Sequence, residues 1–131
     1  MKVSSDYPTR CATEWHLRPA TYWLSHVYIR NADGCILFPF GPPCLNGLLL
    51  RSLLRRAQIA VFFADELTPA IIQEFVELDD DSVQGTHVKL GVHQQYTKNE
   101  IYIELWSPDL PTFEMTLVDL PGKLFCYLTQ Y

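Results

Sequence analysis

The residues with the clearest chemical potential are Asp119, Leu120, Pro121 and Gly122, which follow a short β-prone run at 113–118. A carboxylate at the end of a strand can hold the water shell of a magnesium ion. A glycine placed shortly after it lets a backbone N–H approach a terminal phosphate without a side chain in the way. This order of residue types predicts a site that senses the end of a polyphosphate.

Two predicted strands lead into this loop. Residues 100–106 alternate apolar and polar side chains, which is the period of a strand with one buried face. Residues 107–111 form a turn, and residues 113–118 are predicted to return antiparallel to the first strand. Nearer the N-terminus, 13–17 and 22–30 are predicted as neighbouring strands of one sheet. The loop is therefore expected at the rim of a β-sheet.

Helices are expected between the two pairs of strands. Asn46 can cap a helix that begins after it and has a broad apolar face. Its arginines, Arg51, Arg55 and Arg56, are predicted to form a solvated face.

The chain after Pro69 is less regular. Residues 71–78 predict a short second helix, and 79–82 predict a solvated acidic turn because the alternating oxygen ligands of a calcium loop are absent. Residues 83–90 predict a loop with one short strand. No metal site is therefore expected in this acidic stretch.

Three blocks of the sequence, in order, resemble the GTPase domain of the dynamin family, most closely its dynamin-like and Mx-like branch common in fungi. Residues 8–18 resemble the switch I segment, in which a Thr-Arg pair, here Thr9 and Arg10, precedes a strand. Residues 54–60 resemble the helix that follows switch I. Residues 99–122 resemble the strand pair that ends in the Asp-Leu-Pro-Gly loop.

This resemblance implies an α/β fold, a partial P-loop NTPase of the dynamin type with a mixed β-sheet flanked by helices. It covers residues 1–122 and makes them a partial GTPase domain. Residues 123–131 show no relation to the family and are expected to be an unrelated C-terminal tail.

The resemblance also implies GTP binding and hydrolysis, with GTP as substrate and Mg²⁺ as cofactor. Thr9 matches the switch I threonine that coordinates magnesium and helps to orient the attacking water, so it is the expected catalytic residue. Asp119 matches the carboxylate that acts on magnesium through water. Leu120, Pro121 and Gly122 complete the expected nucleotide-binding loop, with the N–H of Gly122 meeting the terminal phosphate.

Two of the family's four nucleotide motifs are missing from the sequence. The Gly-x-x-x-x-Gly-Lys-Ser/Thr loop would precede Met1, and the guanine-reading motif would follow Tyr131; residues 97–100 imitate the latter but stand before the Asp-Leu-Pro-Gly loop. Each lost charge-assisted hydrogen bond is worth about 1.5–3 kcal/mol. We therefore expect weak GTP binding or none. The alternatives are a non-catalytic protein interaction module and an inactive gene fragment that retains part of the fold.

The composition and net charge of the chain argue against some classes of binding partner. The chain has 131 residues, 48% of them hydrophobic and 19% charged, which is typical of one globular domain. A net charge of −5 argues against nucleic acid or an anionic membrane as a partner. The sequence has no apolar run of signal-peptide or membrane-spanning length and no Cys-x-x-Cys pair, which predicts a cytoplasmic protein with free thiols. Beyond a guanine nucleotide, homo- or hetero-association through an exposed sheet edge is expected.

Overall fold

A computed structural model of the chain describes residues 11–33, 37–93, 97–120 and 123–129. These residues form a six-stranded mixed sheet with helices, which confirms the predicted α/β class. The strands are β1 (Ala12–Pro19), β2 (Leu24–Arg30), β3 (Leu37–Pro39), β4 (Glu100–Ser107), β5 (Glu114–Leu120) and β6 (Lys123–Thr129). The helices are α1 (Gly47–Ala60), α2 (Pro69–Val76) and α3 (Asp80–His93), with a 3₁₀ helix (Val61–Glu66) directly after α1.

The strand order in the sheet is β3-β2-β4-β1-β5-β6. Strand β4 lies between β1 and β2, parallel to β1 and antiparallel to β2. The prediction that β1 and β2 are neighbours was therefore wrong, and so was the predicted antiparallel pairing of β4 with β5, because β5 pairs with β1 instead. The predictions used local turns, and a local turn carries no information about a third strand that inserts between the two it joins.

The helices pack on one face of the sheet, which we call the helix-covered face. Its centre is formed by Val27 and Ile29 of β2 and by Ile101 and Ile103 of β4, all of them at most 3% exposed. These side chains pack in one core cluster with the apolar side of α1. Each such side chain contributes about 1.5–3 kcal/mol by leaving water, so β4 is held at the centre of the sheet by burial.

Both helix starts that the sequence predicted are confirmed. The Asn46 side chain accepts a hydrogen bond from the N–H of Leu49 at 2.9 Å and caps α1. Helix α2 begins slightly earlier than expected because Thr68 caps it through the N–H of Ile71, at 3.2 Å, and Pro69 occupies its first turn. Proline suits that position, since the first N–H groups of a helix have no intrahelical acceptor.

Residues 80–93 form α3, so the predicted acidic turn and short strand were wrong. The carboxylate of Asp79 accepts a hydrogen bond from the N–H of Ser82 at 2.7 Å, which caps the first turn. Asp80 and Asp81 then lie in that turn, where the helix dipole favours negative charge. The three consecutive aspartates are therefore a helix start.

Arg56 is buried, and the prediction that it belongs to a solvated face was wrong. Its guanidinium donates to the carbonyl oxygen of Leu78 at 2.6 and 3.0 Å, to the carbonyl oxygen of Ser52 at 2.9 Å and to Asp80 at 3.0 Å. It thereby joins α1 to the junction of α2 and α3. The carbonyl oxygen of Leu78, in the short link between α2 and α3, thus receives its donors from α1.

Among the described residues, no helix combines the length and the apolar character needed to cross a membrane.

One edge of the sheet is the three-residue strand β3, which ends in Pro39. A short edge strand with a proline is a poor template for pairing with another chain.

Substituting Arg56 by alanine is expected to lower the free energy of unfolding by about 2–4 kcal/mol, because it leaves the carbonyl oxygen of Leu78 without its donor. Urea unfolding followed by circular dichroism measures the change. Arg51→Ala on the same helix is the matched control, since Arg51 is exposed and its loss is expected to cost less than about 0.5 kcal/mol. Equal losses for the two variants would contradict the structural role of Arg56.

Candidate functional site

At one end of the strands, and not at a lateral edge strand, two strands of the sheet start and a third strand ends. Strands β1 and β4 are parallel and begin together, with Ala12 opposite Glu100. Strand β5 is antiparallel to β1 and ends at this edge, with Asp119 opposite Thr13. We call this the site edge and define it by the residues Cys11, Thr13, Asn99, Glu100 and Asp119.

The structure brings part of the predicted site to this edge. Asp119 is the second-last residue of β5, and Leu120 is the last, paired with Lys123 of β6. Thr9, Pro121 and Gly122 lie outside the described residues. The roles predicted for these residues therefore stay predictions. The structure shows that Asp119 and Leu120 are the last two residues of β5.

Asp119 is flanked by a strand on each side, since it pairs with Thr13 of β1 and with Leu124 of β6. Its side chain points to the helix-covered face, because it shares that face with Thr13 and, two residues along β1, with Trp15, which packs against the core. Partial burial raises the pKa of the Asp119 carboxyl. A cation placed beside the carboxylate would oppose that effect and favour the charged form.

Cys11 is the buried thiol of the site edge, with 4% of its surface exposed. Burial, followed by the charges of Asp119 and Glu100, raises the pKa of Cys11 from 9.0 to about 12. The thiol is therefore protonated near neutral pH, and in this form it is a weak nucleophile. Cys11 and Cys44 are both free, as the sequence predicted.

The two carboxylates of the site edge lie on opposite faces of the sheet. Glu100 is directed to the face away from the helices, where its carboxylate lies 3.5 Å from the guanidinium of Arg30. It cannot share a cation with Asp119 across the sheet. Within the described part of the chain no three His, Cys, Asp or Glu side chains form a group that could hold a metal ion.

Asn99 is a buried polar residue of this edge that the sequence did not single out. Its side-chain amide donates to the carbonyl oxygen of Val61 at 3.0 Å and so ties the start of β4 to the 3₁₀ helix. Its Oδ1 atom is buried and accepts no hydrogen bond from any described residue. The segment 97–100 imitates a guanine-reading motif, but its Asn99 has a structural role, since it links β4 to the 3₁₀ helix. No sequence signal distinguishes a buried asparagine from one in a solvated turn.

The opposite face of the sheet, which we call the open face, carries polar and aromatic side chains instead of a helix layer. The even-numbered residues of three strands form it: Glu14, His16, Arg18, His26, Tyr28, Arg30, Glu100, Tyr102, Glu104 and Trp106. All of them are half-buried, because they cover one another. The sequence predicted the strands but not this arrangement.

Glu104 is the centre of one group on the open face. Its carboxylate accepts hydrogen bonds from the guanidinium of Arg18 at 2.8 Å and from the hydroxyl of Tyr28 at 3.1 Å. The hydrogen bond to Glu104 raises the pKa of Arg18, against the opposing effect of burial. The same guanidinium lies 5.3 Å from the ring centroid of Trp106, so its charge interacts with both a carboxylate and an aromatic face.

Arg30 is the centre of the second group. Its guanidinium lies 4.9 Å from the ring centroid of Tyr102 and 3.3 Å from the carboxylate of Glu14, which also contacts His16 at 2.6 Å. Burial alone would raise the pKa of Glu14, but the hydrogen bond to His16 and the charge of Arg30 lower it overall. The two groups join β1, β2 and β4 side by side.

Substituting Cys11 by valine is expected to reduce the slope with which the free energy of unfolding falls at alkaline pH. The folded chain keeps the thiol proton up to about pH 12, whereas the unfolded chain releases it near 9.0. Folding therefore binds protons in this window, and the free energy of unfolding falls as the pH rises through it. Urea unfolding below and within the window measures the slope. Cys44→Val is the comparison: burial alone raises the pKa of that thiol, so its removal is expected to reduce the slope less than Cys11→Val does. Equal slopes for wild type and Cys11→Val would refute the expectation.

Substituting Glu104 by glutamine is expected to destabilise the fold by about 1 kcal/mol, because the partly exposed ion pair with Arg18 is lost while an acceptor remains for Tyr28. A double-mutant cycle with Arg18→Met, read by urea unfolding, isolates the pair. Glu74→Gln, at an exposed position of α2, is expected to change the stability by less than about 0.5 kcal/mol. An additive cycle would show that the pair contributes nothing.

Comparison of the chain with protein-family models, with curated proteins and with solved structures found no match. Its function is therefore inferred from the chemistry of its own residues. The site edge presents a strand-end carboxylate beside the start of β1. The open face presents paired charges and aromatic rings.

Proposed function

We propose that the chain contributes to a guanine-nucleotide site of the dynamin type. Asp119 holds the water shell of Mg²⁺, and the Asp-Leu-Pro-Gly loop meets the terminal phosphate of GTP. The observation that carries this proposal is the antiparallel register of β1 and β5, which puts Asp119 opposite Thr13. Thr9 stands four residues before Thr13, a distance that even a fully extended chain cannot make longer than about 14 Å. Asp119 therefore lies opposite the strand that Thr9 precedes in the sequence.

The electrostatics of Asp119 support the same reading. Its carboxyl is partly buried, and burial is the cause that raises its pKa. Among the described residues no guanidinium or ammonium group pairs with this carboxylate, and a carboxyl so placed gains from a divalent cation, which favours its charged form. Arg18 and Arg30, the arginines of β1 and β2, both face the open face and are engaged with Glu104 and Glu14.

The proposed site is a weak one. The sequence contains no Gly-x-x-x-x-Gly-Lys-Ser/Thr motif, so the polyphosphate lacks the cradle of backbone N–H groups and the lysine that hold it in P-loop proteins. Magnesium, the loop after Asp119 and the switch I threonine remain as contacts. We therefore propose binding of Mg²⁺–GTP with a Kd on the order of 1 mM, and hydrolysis that is strongly impaired.

Titration with Mg²⁺–GTP, followed by ¹H–¹⁵N NMR, is expected to shift the backbone amide signals of Thr13 and Asp119. Removal of Mg²⁺ with a chelator is expected to reverse the shifts. Asp119→Asn keeps the shape of the side chain and removes its charge, so it is expected to weaken binding at least about tenfold.

Asp109→Asn is the matched control, because Asp109 is an exposed aspartate in the turn between β4 and β5. It is expected to bind Mg²⁺–GTP like the wild type. The proposal fails if the shifts are absent, if they persist without Mg²⁺, or if both variants bind equally well.

A second candidate function is a non-catalytic protein interaction module, and the open face favours it. Three adjacent strands there present interlocked charges and aromatic rings over a surface that no described helix covers. A module of this kind is expected to unfold cooperatively at a temperature that GTP and Mg²⁺ do not change. Stabilisation by Mg²⁺–GTP would favour the first candidate.

A further inference from the structure

A cavity of about 330 Å³ lies between β1 and α1 on the helix-covered face. Its walls include Trp15 from β1 and, from α1, Leu50, Arg51, Leu54, Arg55 and Gln58. The volume is at the lower end of the range for small-molecule sites, which is about 300–1,000 Å³. The cavity is therefore large enough for one flat aromatic ring system, of one or two fused rings, with a charged substituent.

The two arginines of this cavity differ from the other arginines that the structure describes. Arg18 pairs with Glu104, Arg30 with Glu14, and Arg56 with Asp80. Arg55, in contrast, donates to the neutral side-chain oxygen of Gln84 at 2.9 Å and has no carboxylate within salt-bridge distance among the described residues. Arg51 makes no hydrogen bond or ion pair with any described residue.

Helix α1 itself supplies no compensating charge, since its sequence contains three arginines and no Asp or Glu. Arg51 and Arg55 are four residues apart, which places their side chains on the same side of the helix one turn from each other. Two guanidinium groups so placed can donate to one phosphate group. Asp80 of α3 lines a neighbouring pocket together with both arginines, but its carboxylate pairs with Arg56. In a chain of net charge −5, Arg51 and Arg55 are therefore a local excess of positive charge beside a cavity.

Apart from the exposed Gln58 and from Gly47, the rest of the cavity wall is apolar. Leu50 is 6% exposed, and Leu54 and Trp15 are partly buried against the core. The Trp15 side chain offers a large aromatic surface, which packs well against another flat ring. Charge and apolar surface therefore stand together in one cavity.

We propose that this cavity binds a small anion that carries a flat apolar ring, of the class of aryl phosphates. The phosphate lies on Arg51 and Arg55, and the ring lies against Trp15 and Leu54. The site is separate from the proposed nucleotide site, since Asp119 is no part of its wall. Trp15 pairs with Leu117, two residues before Asp119, so the two sites are about 7 Å apart along the strand.

Titration with 1-naphthyl phosphate tests the proposal, with calorimetry for affinity and NMR for location. It is expected to bind with a Kd on the order of 0.1–1 mM. It is also expected to shift the indole N–H signal of Trp15 and the Nε–H signals of Arg51 and Arg55. Inorganic phosphate, which lacks the ring, and 1-naphthol, which lacks the charge, are each expected to bind at least about tenfold more weakly.

The double variant Arg51→Gln/Arg55→Gln is expected to weaken binding of 1-naphthyl phosphate at least about tenfold. The single variant Arg51→Gln, at an exposed position where folding is not at risk, is expected to weaken it at least about threefold. Lys89→Gln removes an exposed charge on α3, away from the cavity wall, and is expected to bind like the wild type.

Asp119→Asn separates this proposal from the proposed function, because it is expected to lose Mg²⁺–GTP binding while it keeps 1-naphthyl phosphate binding. The aryl phosphate site is refuted if 1-naphthyl phosphate does not bind, if 1-naphthol binds equally well, or if the Arg51→Gln/Arg55→Gln variant keeps the wild-type affinity. Shifts confined to signals outside the cavity refute it as well.

Discussion

The position of β4 between β1 and β2 is the constraint on which the remaining structure depends. Ile101 and Ile103 of this strand are at most 1% exposed and pack against the apolar side of α1. Successive residues of a strand point to opposite faces, so the same strand delivers Tyr102 and Glu104 to the open face. One centrally placed strand thus anchors the hydrophobic core on one side and the network of charges and rings on the other.

The site edge follows from the same placement. Because β4 is parallel to β1, the two strands start at one edge, and β5 ends there by running antiparallel to β1. Asp119 of β5 consequently lies opposite Thr13 of β1. A simple hairpin between β4 and β5 would have placed it beside β4 instead. The acid at the end of β5 and the start of β1 are therefore neighbours through the order of the strands.

Charge is distributed unevenly between the two faces. On the open face, arginines and carboxylates from different strands are paired, as Arg18 with Glu104 and Arg30 with Glu14. On the helix layer, Arg56 is paired and buried, whereas Arg51 and Arg55 border a cavity and pair with no carboxylate of the residues that the structure describes. Paired charges organise the fold at little net electrostatic cost, and charges without partners remain available to a ligand.

The sequence by itself determined the features that depend on residues a few positions apart. It predicted the start of α1 from Asn46, the existence of α2 and the alternation within β4, because a cap or a strand period acts locally. The sequence also contains Asp79, which caps α3, although residues 79–82 were predicted to form a turn. Only the tertiary structure decided the insertion of β4, the burial of Arg56 and the surroundings of Asp119. These depend on contacts between residues that are distant in the chain, where the free energy of burial, and not local propensity, selects the arrangement.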